Sequence, residues 1–334
     1  MSDAKQLSNP QVQAPRSAFK VPLAGIDPQI IGLFLCLVAL VVLFATASPY
    51  FLSVQNLSNM LLSVSVIGTM AAISTLVLVS RGLDLSVGSI VGLVGVVAAL
   101  TIQASGSPFL GIVVGLLAGA VCGALNAALY VNVGINSIIV TIGTLSIFRG
   151  VAFVISGGQT LNVFDEFMLA LGAGRLFGIP YSVVLMLLLF VACHLIATHT
   201  RVGRTLYAIG ANPRASRLAG IPLGKYRYAI FVANGICAGL AGLLLIGQAA
   251  TAVPAAGVGY ELLVITAVLL GGTSLQGGEG RVMGTLLGVV IIGVLSNGMT
   301  LVGIDSYYQI IAHGALLLLA VALDRMRQGA PADE

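Results

Sequence analysis

Ten apolar stretches follow one another along this chain, separated by short polar segments. They lie near residues 30–48, 57–79, 85–104, 108–131, 135–156, 181–199, 228–250, 260–272, 282–302 and 306–323. A helix needs roughly 20 apolar residues to cross a bilayer, and in lipid it satisfies its own backbone polar groups. The pattern therefore predicts an all-α polytopic membrane protein with about ten transmembrane or re-entrant helices. The stretch 260–272 is short enough to be a re-entrant half-helix.

The composition is that of a protein whose surface faces lipid. Hydrophobic residues make up 58% of the chain and charged residues only 8%, whereas a soluble domain carries roughly 25% charged residues. The basic residues lie in the loops between apolar stretches, so the net charge of +4 does not indicate nucleic-acid binding. The four cysteines each fall inside an apolar stretch without the clustered spacing of a metal site, which favours a packing role.

The basic residues also predict the orientation of the chain. Residues 201–227 carry six Arg or Lys and no acidic residue, which is typical of a cytoplasmic loop. With the N-terminus on the same side, ten spans place the C-terminus in the cytoplasm as well. Of the 15 Lys and Arg residues, only Arg149 and Arg175 then lie towards the opposite side.

This topology divides the chain into three parts. A polar cytoplasmic segment covers 1–29, a transmembrane domain covers 30–324 and includes the cytoplasmic loop 200–227, and a cytoplasmic tail covers 325–334. The one sizeable stretch on the opposite side, 156–180, is Gly-rich and mildly polar. A solvated loop is the simpler interpretation of it, and a contact for an external partner is the other.

The cytoplasmic loop contains the signals of a short helix. Asn212 precedes Pro213, as a helix N-cap precedes a proline in the first helical position. Ala215, Leu218 and Ala219 would line one face, and a glycine follows as a natural helix stop. Such a helix suits docking into a groove of another protein, while a simple basic loop that sets the topology explains the same charges.

Two glycine-broken junctions interrupt the apolar sequence, at 80–89 and at 271–281. Broken helices around a transport pathway have this appearance, because irregular backbone is tolerated at membrane depth only where protein or water satisfies it. Two tight cytoplasmic turns are the alternative interpretation. In the first junction, Arg81 and Asp84 are close enough in sequence to neutralise each other.

Several polar side chains lie within the apolar stretches. Hydroxyl and amide groups suit a route for polyols, although they also bond neighbouring helices for about 0.6 kcal/mol each. Combined with the junctions, they give the candidates for the translocation path or its gating: Asp84, Ser86, Gly88, Asn126, Thr141, Thr144, Gln248, Gly271, Gly272 and Asn297.

No motif for ATP hydrolysis or for other catalysis accompanies these features. The nearest approach to a phosphate-binding loop, 220–226, has the wrong spacing and lacks Ser or Thr after Lys225. No metal-site spacing and no nucleophile motif is present either. We therefore expect that the chain is not an enzyme, binds no cofactor or metal, and takes its energy from elsewhere.

Several groups of residues carry a family resemblance. They are FLS at 51–53 with NL at 56–57, GLDLSVGS at 82–89, TL at 144–145 with RG at 149–150, the run 203–212 through AGI at 219–221, and the run 271–280 through NG at 297–298. With these residues the sequence resembles the ribose/xylose/arabinose-type permease subunits of bacterial ABC sugar importers. The resemblance extends from about Tyr50 to Asp324.

The resemblance implies a multi-pass permease domain in the bacterial inner membrane that works as a dimer, with a second permease copy or a paralogue. A cytoplasmic ATP-binding subunit would use ATP, and a periplasmic solute-binding protein would deliver a small hydrophilic solute, above all a monosaccharide. Alternating access would then move the solute. The coupling helix that contacts the ATP-binding subunit would comprise Asn212, Pro213, Arg214, Ala215, Ser216, Arg217, Leu218, Ala219, Gly220 and Ile221.

Other transport classes fit part of the pattern. A stand-alone ion-coupled secondary transporter explains the spans and the broken helices, but it leaves the docking-like loop without a use. An exporter or channel-like pore on the same scaffold is a third interpretation. These sequence features leave the solute open among pentoses, hexoses, polyols and other small hydroxylated molecules.

Overall fold

Residues 28–328 are described by a computed structural model, and they form a bundle of α-helices. The helices are α1 (Pro28–Ala47), α2 (Val54–Val79), α3 (Val87–Ser105), α4 (Pro108–Ala128), α5 (Ser137–Ser156), α6 (Glu166–Ala173), α7 (Tyr181–His199), α8 (Arg201–Ala211), α9 (Pro213–Leu218), α10 (Leu223–Ala249), α11 (Tyr260–Leu270), α12 (Val282–Leu301) and α13 (Ser306–Gln328). A π-helical turn, Leu129–Val133, extends α4. Parts of the predicted terminal segments, 1–27 and 329–334, lie outside the described residues.

The predicted fold class is confirmed. Within the described range, nine helices are long and apolar enough to cross a membrane, and each of the ten predicted stretches contains a helix. The remaining helix, α11 in the stretch 260–272, has 11 residues and is therefore only about 16 Å long. Because the hydrocarbon core is about 30 Å thick, α11 is too short to cross it alone. The stretch is nevertheless not re-entrant, since the chain enters α11 from the side where α10 ends and leaves it at the junction 271–281, which contacts α2 and α8 at the opposite end of α10.

The helices α2, α3 and α10 form the centre of the bundle, whereas α1 and α13 expose most of their apolar surface at the periphery. Glycines let the central helices approach closely. A Cβ on Gly119 of α4 would lie 2.5 Å from the carbonyl oxygen of Gly235 in α10, a distance that only glycine permits. Such close backbone packing is how membrane helices associate when burial from water offers no gain.

Helix α10 fixes the two ends of the molecule. Its 27 residues extend about 40 Å, from Leu223 next to α9 to Ala249 next to a short strand, β4 (Thr251–Ala252). We call the end that carries α8 and α9 the α9 end, and the other end the β4 end. The positive charge of the α8–α9 region predicts that the α9 end is cytoplasmic.

The stretch 157–180 at the β4 end is folded, which differs from the solvated loop expected there. Its strand β1 (Leu161–Asn162) pairs antiparallel with β4, and β2 (Arg175–Leu176) pairs with β3 (Ile179–Pro180). Between them lies α6, whose Gly172 packs directly on the backbone of Gly247 in α10. The segment is therefore part of the bundle, held by backbone contacts that its Gly-rich sequence allows.

Candidate transport and coupling sites

A buried hydrogen-bond network surrounds Asp84 in the junction between α2 and α3. Its Oδ1 accepts hydrogen bonds from the backbone N–H of Ser86 at 2.9 Å and from the Ser86 hydroxyl at 2.6 Å. Its Oδ2 accepts from Nδ2 of Asn234 in α10 at 2.9 Å. Asn126 of α4 donates to the Ser86 hydroxyl at 2.8 Å, and Ser74 of α2 donates to Asn234 Oδ1 at 3.0 Å. Four elements thus converge on one carboxyl group.

The network borders a small cavity towards α11. The cavity is lined by Ser74, Val77, Leu78, Gly82, Leu83, Asp84, Val264, Ile265 and Val268. Within the network, the side-chain oxygen of Asn126 is buried and has no hydrogen-bond partner among the described residues. A buried acceptor without a partner is costly unless a ligand or water supplies a donor. The site therefore combines space, a carboxyl group and an unused amide oxygen.

The expected pairing of Arg81 with Asp84 is wrong. The Nε of Arg81 donates instead to the carbonyl oxygen of Gln276 in the second junction, while Asp84 takes its donors from Ser86 and Asn234. The two residues are three positions apart, but the chain is not helical between α2 and α3. Their side chains therefore need not share a face.

Two predicted path residues on α5 lie beside the first junction. The Thr141 hydroxyl donates to Ser137 within its own helix at 2.9 Å and lies 3.3 Å from the carbonyl oxygen of Leu83. Thr144 is buried one turn further along the same helix. Ser137 in turn accepts from the backbone N–H of Leu83 at 3.2 Å. The start of α5 is thereby attached to the segment that holds Asp84.

Two other predicted path residues lie elsewhere and connect helices. Gln248 near the end of α10 donates to the carbonyl oxygen of Leu62 and to the hydroxyl of Ser65, both in α2, at 3.2 and 3.3 Å. Asn297 of α12 exchanges two hydrogen bonds with Asn56 of α2, each 2.8 Å long. Their contacts are those of interhelical polar side chains, and neither joins the Asp84 network.

The second junction packs against the first, which the sequence did not indicate. The backbone N–H of Gly278 donates to the carbonyl oxygen of Val79 at 2.8 Å. Gly271 lies against the first turn of α12, where a Cβ would overlap the backbone of Thr285, and Gly272 adopts φ of +90°. The two predicted path glycines therefore serve a tight turn and a close helix contact at the α9 end.

Helix α9 has the predicted ends. The Asn212 side chain accepts a hydrogen bond from the backbone N–H of Ala215 at 2.9 Å, so the predicted N-cap is confirmed. Gly220 has φ of +78°, and the N–H of Ile221 returns to the carbonyl oxygen of Ser216 at 3.0 Å, as in a glycine-terminated helix. The sequence thus specifies the short helix locally.

Helix α8 was not predicted, because its arginines suggested a simple loop. It is amphipathic, with Leu206 and Ile209 buried against the bundle. The Tyr207 hydroxyl donates to the carbonyl oxygen of Gly280 at 2.7 Å, and Gly210 touches the backbone of both Val79 and Gly278. The apolar spacing of Val202, Leu206 and Ile209 is the signal that would have found it.

Tyr207 remains a hydrogen-bond donor over a wide pH range. Burial raises the pKa of its hydroxyl above the ordinary value, and the nearby charge of Arg281 opposes this rise. The link between α8 and the second junction therefore does not depend on a titration near neutral pH. Helix α9 is attached to α8 in turn, since the Ser216 hydroxyl donates to the carbonyl oxygen of Ala208 at 3.0 Å.

Two residues of these sites were missed in the sequence. Asn234 stands in the middle of the apolar stretch of α10, which was a sufficient signal for a buried polar role. Arg149 was placed near a span end, but its guanidinium reaches inward. It donates to the carbonyl oxygens of Pro254 at 2.8 Å, of Ala256, and of Gly88, a predicted path residue, at 3.1 Å.

Comparison with known proteins identifies the family. Residues 56–321 match the family described as the branched-chain amino acid transport system permease component. The ribose import permease of Escherichia coli K12 is 39% identical over 302 residues, covering 88% of this chain and 93% of that protein. The L-arabinose ABC transporter permease of Azospirillum brasilense is 37% identical over 329 residues, covering 95% and 97%.

A further relative, the D-allose transport system permease of Escherichia coli K12, is 35% identical over 297 residues, covering 88% of this chain and 91% of that protein. No solved structure matches the chain significantly. The relatives confirm the resemblance and favour an ABC permease over a stand-alone secondary transporter. The chain is a multi-pass protein of the inner membrane, and it belongs to the family of ABC importer permeases that includes those for ribose, arabinose and allose.

Proposed function

We propose that this permease imports a small sugar by alternating access, and that a separate ATP-binding subunit drives it by docking on α9. A second permease copy or a paralogue would complete the membrane part, and a periplasmic solute-binding protein would deliver the sugar. The chain itself would bind no cofactor, since ATP would be used by the partner. The relatives named for ribose, arabinose and allose support the sugar class.

The surface of α9 is the observation that carries this proposal. Leu218 is 83% exposed at the α9 end, where the basic residues predict contact with the cytoplasm rather than with lipid. Arg214 and Arg217 flank it and are exposed as well. An exposed leucine next to two cations suits a partner groove that is apolar at its centre and acidic at its rim.

The attachment of α9 to the bundle supports its use in coupling. Ser216 fastens α9 to α8, and Tyr207 and Gly210 of α8 contact the second junction and the end of α2. Beyond the second junction lie α11 and α12. A displacement of α9 by a docked subunit would therefore be passed through α8 to the end of α2, and through the second junction to α11 and α12.

The polar network suggests where a sugar would pass. Asp84 lines the cavity, and hydrogen bonds join it to Ser86 and Ser86 to Asn126. Thr141 contacts Leu83, which also lines the cavity. Sugar hydroxyls donate and accept hydrogen bonds, which suits a carboxyl group and an unpaired amide oxygen. We propose these residues as part of the path at the α9 end.

Co-purification tests the docking. The tagged permease is isolated from native membranes in mild detergent, and bound proteins are identified by mass spectrometry. We expect an ATP-binding subunit with the wild type, and its loss with Leu218→Glu, which places a charge in the docking face. Leu176→Glu, at the β4 end and also exposed, is the matched control and should retain the subunit. A wild type that purifies without an ATP-binding subunit, or a Leu218→Glu variant that keeps it, contradicts the proposal.

Uptake tests the solute class. Cells that produce the complete transporter are supplied with radiolabelled D-ribose, L-arabinose or D-allose, and with leucine as the contrasting probe, since the family description names branched-chain amino acids. We expect accumulation of at least one sugar that stops when ATP is depleted. Accumulation of leucine alone would refute the sugar assignment while leaving the importer class in place.

A further inference from the structure

The segment 253–259, which we call the non-helical segment, lies inside the bundle although it forms no helix. It follows β4 and leads into α11. On α3, a Cβ on Gly88 would overlap the carbonyl oxygen of Gly257, and a Cβ on Gly92 would lie 2.8 Å from the carbonyl oxygen of Pro254. These two glycines, one helical turn apart, form a groove in α3 that receives the segment.

One side chain fastens the non-helical segment in this groove. Arg149 extends from α5, donates through Nη1 to the carbonyl oxygens of Pro254 and Ala256, and donates through Nη2 to that of Gly88. It thereby joins α5, the segment and the first turn of α3. Non-helical carbonyls inside a membrane need donors, and a guanidinium has a planar set of them.

A carboxylate completes the cluster. Glu261, in the first turn of α11, accepts through Oε1 from the backbone N–H of Gly259 at 3.2 Å. Its Oε2 packs against Gly88, is buried, and has no hydrogen-bond partner among the described residues. A cation and an anion thus adjoin the same glycine, and charges at membrane depth are characteristic of transport pathways.

We propose that Arg149 is a positioning residue that holds the non-helical segment across the β4 end of the path, and that this end opens only when its hydrogen bonds to the segment are released. The inference rests on the proposed transport function. The cavity beside Asp84 is lined by Val264, Ile265 and Val268 of α11, which follow the segment along the chain towards the α9 end. The segment therefore lies between that cavity and the β4 end. Helix α11 directly joins the segment to the second junction, against which α8 packs.

Solute-independent labelling tests the proposal. Val91 of α3 is 1% exposed and lies beneath Gly257 of the segment. In a permease whose four native cysteines are replaced by serine or alanine, Val91→Cys is treated from the β4 side with a membrane-impermeant maleimide. We expect slow labelling with Arg149 intact and labelling at least about tenfold faster with Arg149→Met, because a hydrogen bond from a charged donor is worth a factor of ten or more. Arg149→Lys should give an intermediate rate.

A second pair of variants tests the groove without changing any charge. Gly88→Ala forces the segment away from α3 and should also accelerate labelling of the Val91→Cys protein. Gly95→Ala on the same helix is the matched control, since its nearest neighbour, Ile246, would be at 3.8 Å from the new Cβ. It should leave the rate unchanged. If Arg149→Met does not fold, the glycine pair still decides the question.

General loosening of the bundle is distinguished by a reference cysteine. Cys193 of α7 is buried at 3% exposure, and a permease that keeps only this cysteine should label equally slowly with and without Arg149→Met. Equal labelling of the Val91→Cys protein in all variants overturns the proposal, as does parallel acceleration at Cys193. Because the assay needs neither ATP nor a partner, it can fail while the ATP-binding subunit still co-purifies, and the two proposals are therefore separable.

Discussion

The backbone N–H of Gly278 lies 2.8 Å from the carbonyl oxygen of Val79, and this hydrogen bond joins the end of α2 to the loop between α11 and α12. Residues 199 positions apart in sequence thus form one surface at the α9 end. Helix α8 packs on that surface through Gly210. The contact joins α2, α8 and the loop between α11 and α12, and it gives the first prediction.

Gly210→Ala should separate α8 from this surface. A Cβ at Gly210 would overlap both the Val79 carbonyl oxygen and the Gly278 nitrogen, which are backbone atoms that cannot rotate away. We expect a lower melting temperature in detergent and loss of ATP-driven uptake. Gly143→Ala, where a Cβ meets no atom within 4 Å, should change neither quantity. An unaltered melting temperature for Gly210→Ala would show that the close contact is not needed.

Asp84→Asn should disrupt the buried network. In one orientation the new amide nitrogen would face the Nδ2 donor of Asn234, so that two donors meet. In the other orientation it would face the Ser86 donors, which would then lose their acceptor. We expect reduced stability and uptake. Asn234→Asp in the same protein restores one donor and one acceptor across the contact, so the double variant should recover part of both. A double-mutant cycle on unfolding should give a coupling free energy of about 1–3 kcal/mol, and additive effects would contradict the prediction.

Tyr207→Phe should weaken coupling without releasing the ATP-binding subunit. It removes the hydrogen bond to Gly280 but leaves the exposed face of α9 unchanged. We expect the subunit to co-purify normally while the number of solute molecules moved per ATP hydrolysed falls several-fold. Loss of the subunit would instead assign Tyr207 to the docking face.

The pH dependence of this contact follows from the raised pKa of Tyr207. A group whose pKa is higher in the folded protein adds stability below its unfolded pKa, which for tyrosine is about 10, and loses it as the pH rises through the folded value. The stability difference between wild type and Tyr207→Phe should therefore be constant from about pH 6 to 9. Chemical unfolding at several pH values measures it, and a difference that declines within this window would be inconsistent with a buried neutral hydroxyl.

Asn297→Leu should lower stability more than transport. The substitution removes one amide of the reciprocal pair and leaves the Oδ1 of Asn56 without its donor, while Asn56 Nδ2 keeps its hydrogen bond to the carbonyl oxygen of Phe51. We expect a loss of about 1–3 kcal/mol in unfolding free energy with substantial uptake remaining. The simultaneous change Asn56→Leu should recover little stability, because it removes the unpaired amide oxygen but also the donor to the Phe51 carbonyl oxygen. Complete loss of uptake in a stable Asn297→Leu protein would instead support the initial prediction that Asn297 lies on the translocation path.

The helices were predictable because each signal is local. A run of about twenty apolar residues is enough to indicate a membrane span. The asparagine before Pro213 marks the start of α9, and the glycine at 220 marks its end. Helix α8 was missed because its arginines drew attention away from the apolar residues Leu206 and Ile209, which show a helical period only when the charges are ignored.

The candidate site was less predictable because it depends on contacts between distant segments. Asp84, Ser86 and Asn126 were chosen separately from sequence, and only the fold brings them together with Asn234. Arg149 looked like a residue near a span end, since its carbonyl partners belong to a segment more than 100 residues later. A contact between such distant residues leaves no periodic pattern in the sequence.

The two-residue pairing of β1 with β4 has a mechanical consequence. Leu161 and Asn162 belong to the folded stretch 157–180, and Thr251 and Ala252 come immediately before the non-helical segment. A displacement of that stretch would therefore act through β4 on the peptide carbonyls that Arg149 holds. A protein that binds the stretch 157–180 would therefore act directly on the segment that Arg149 fastens.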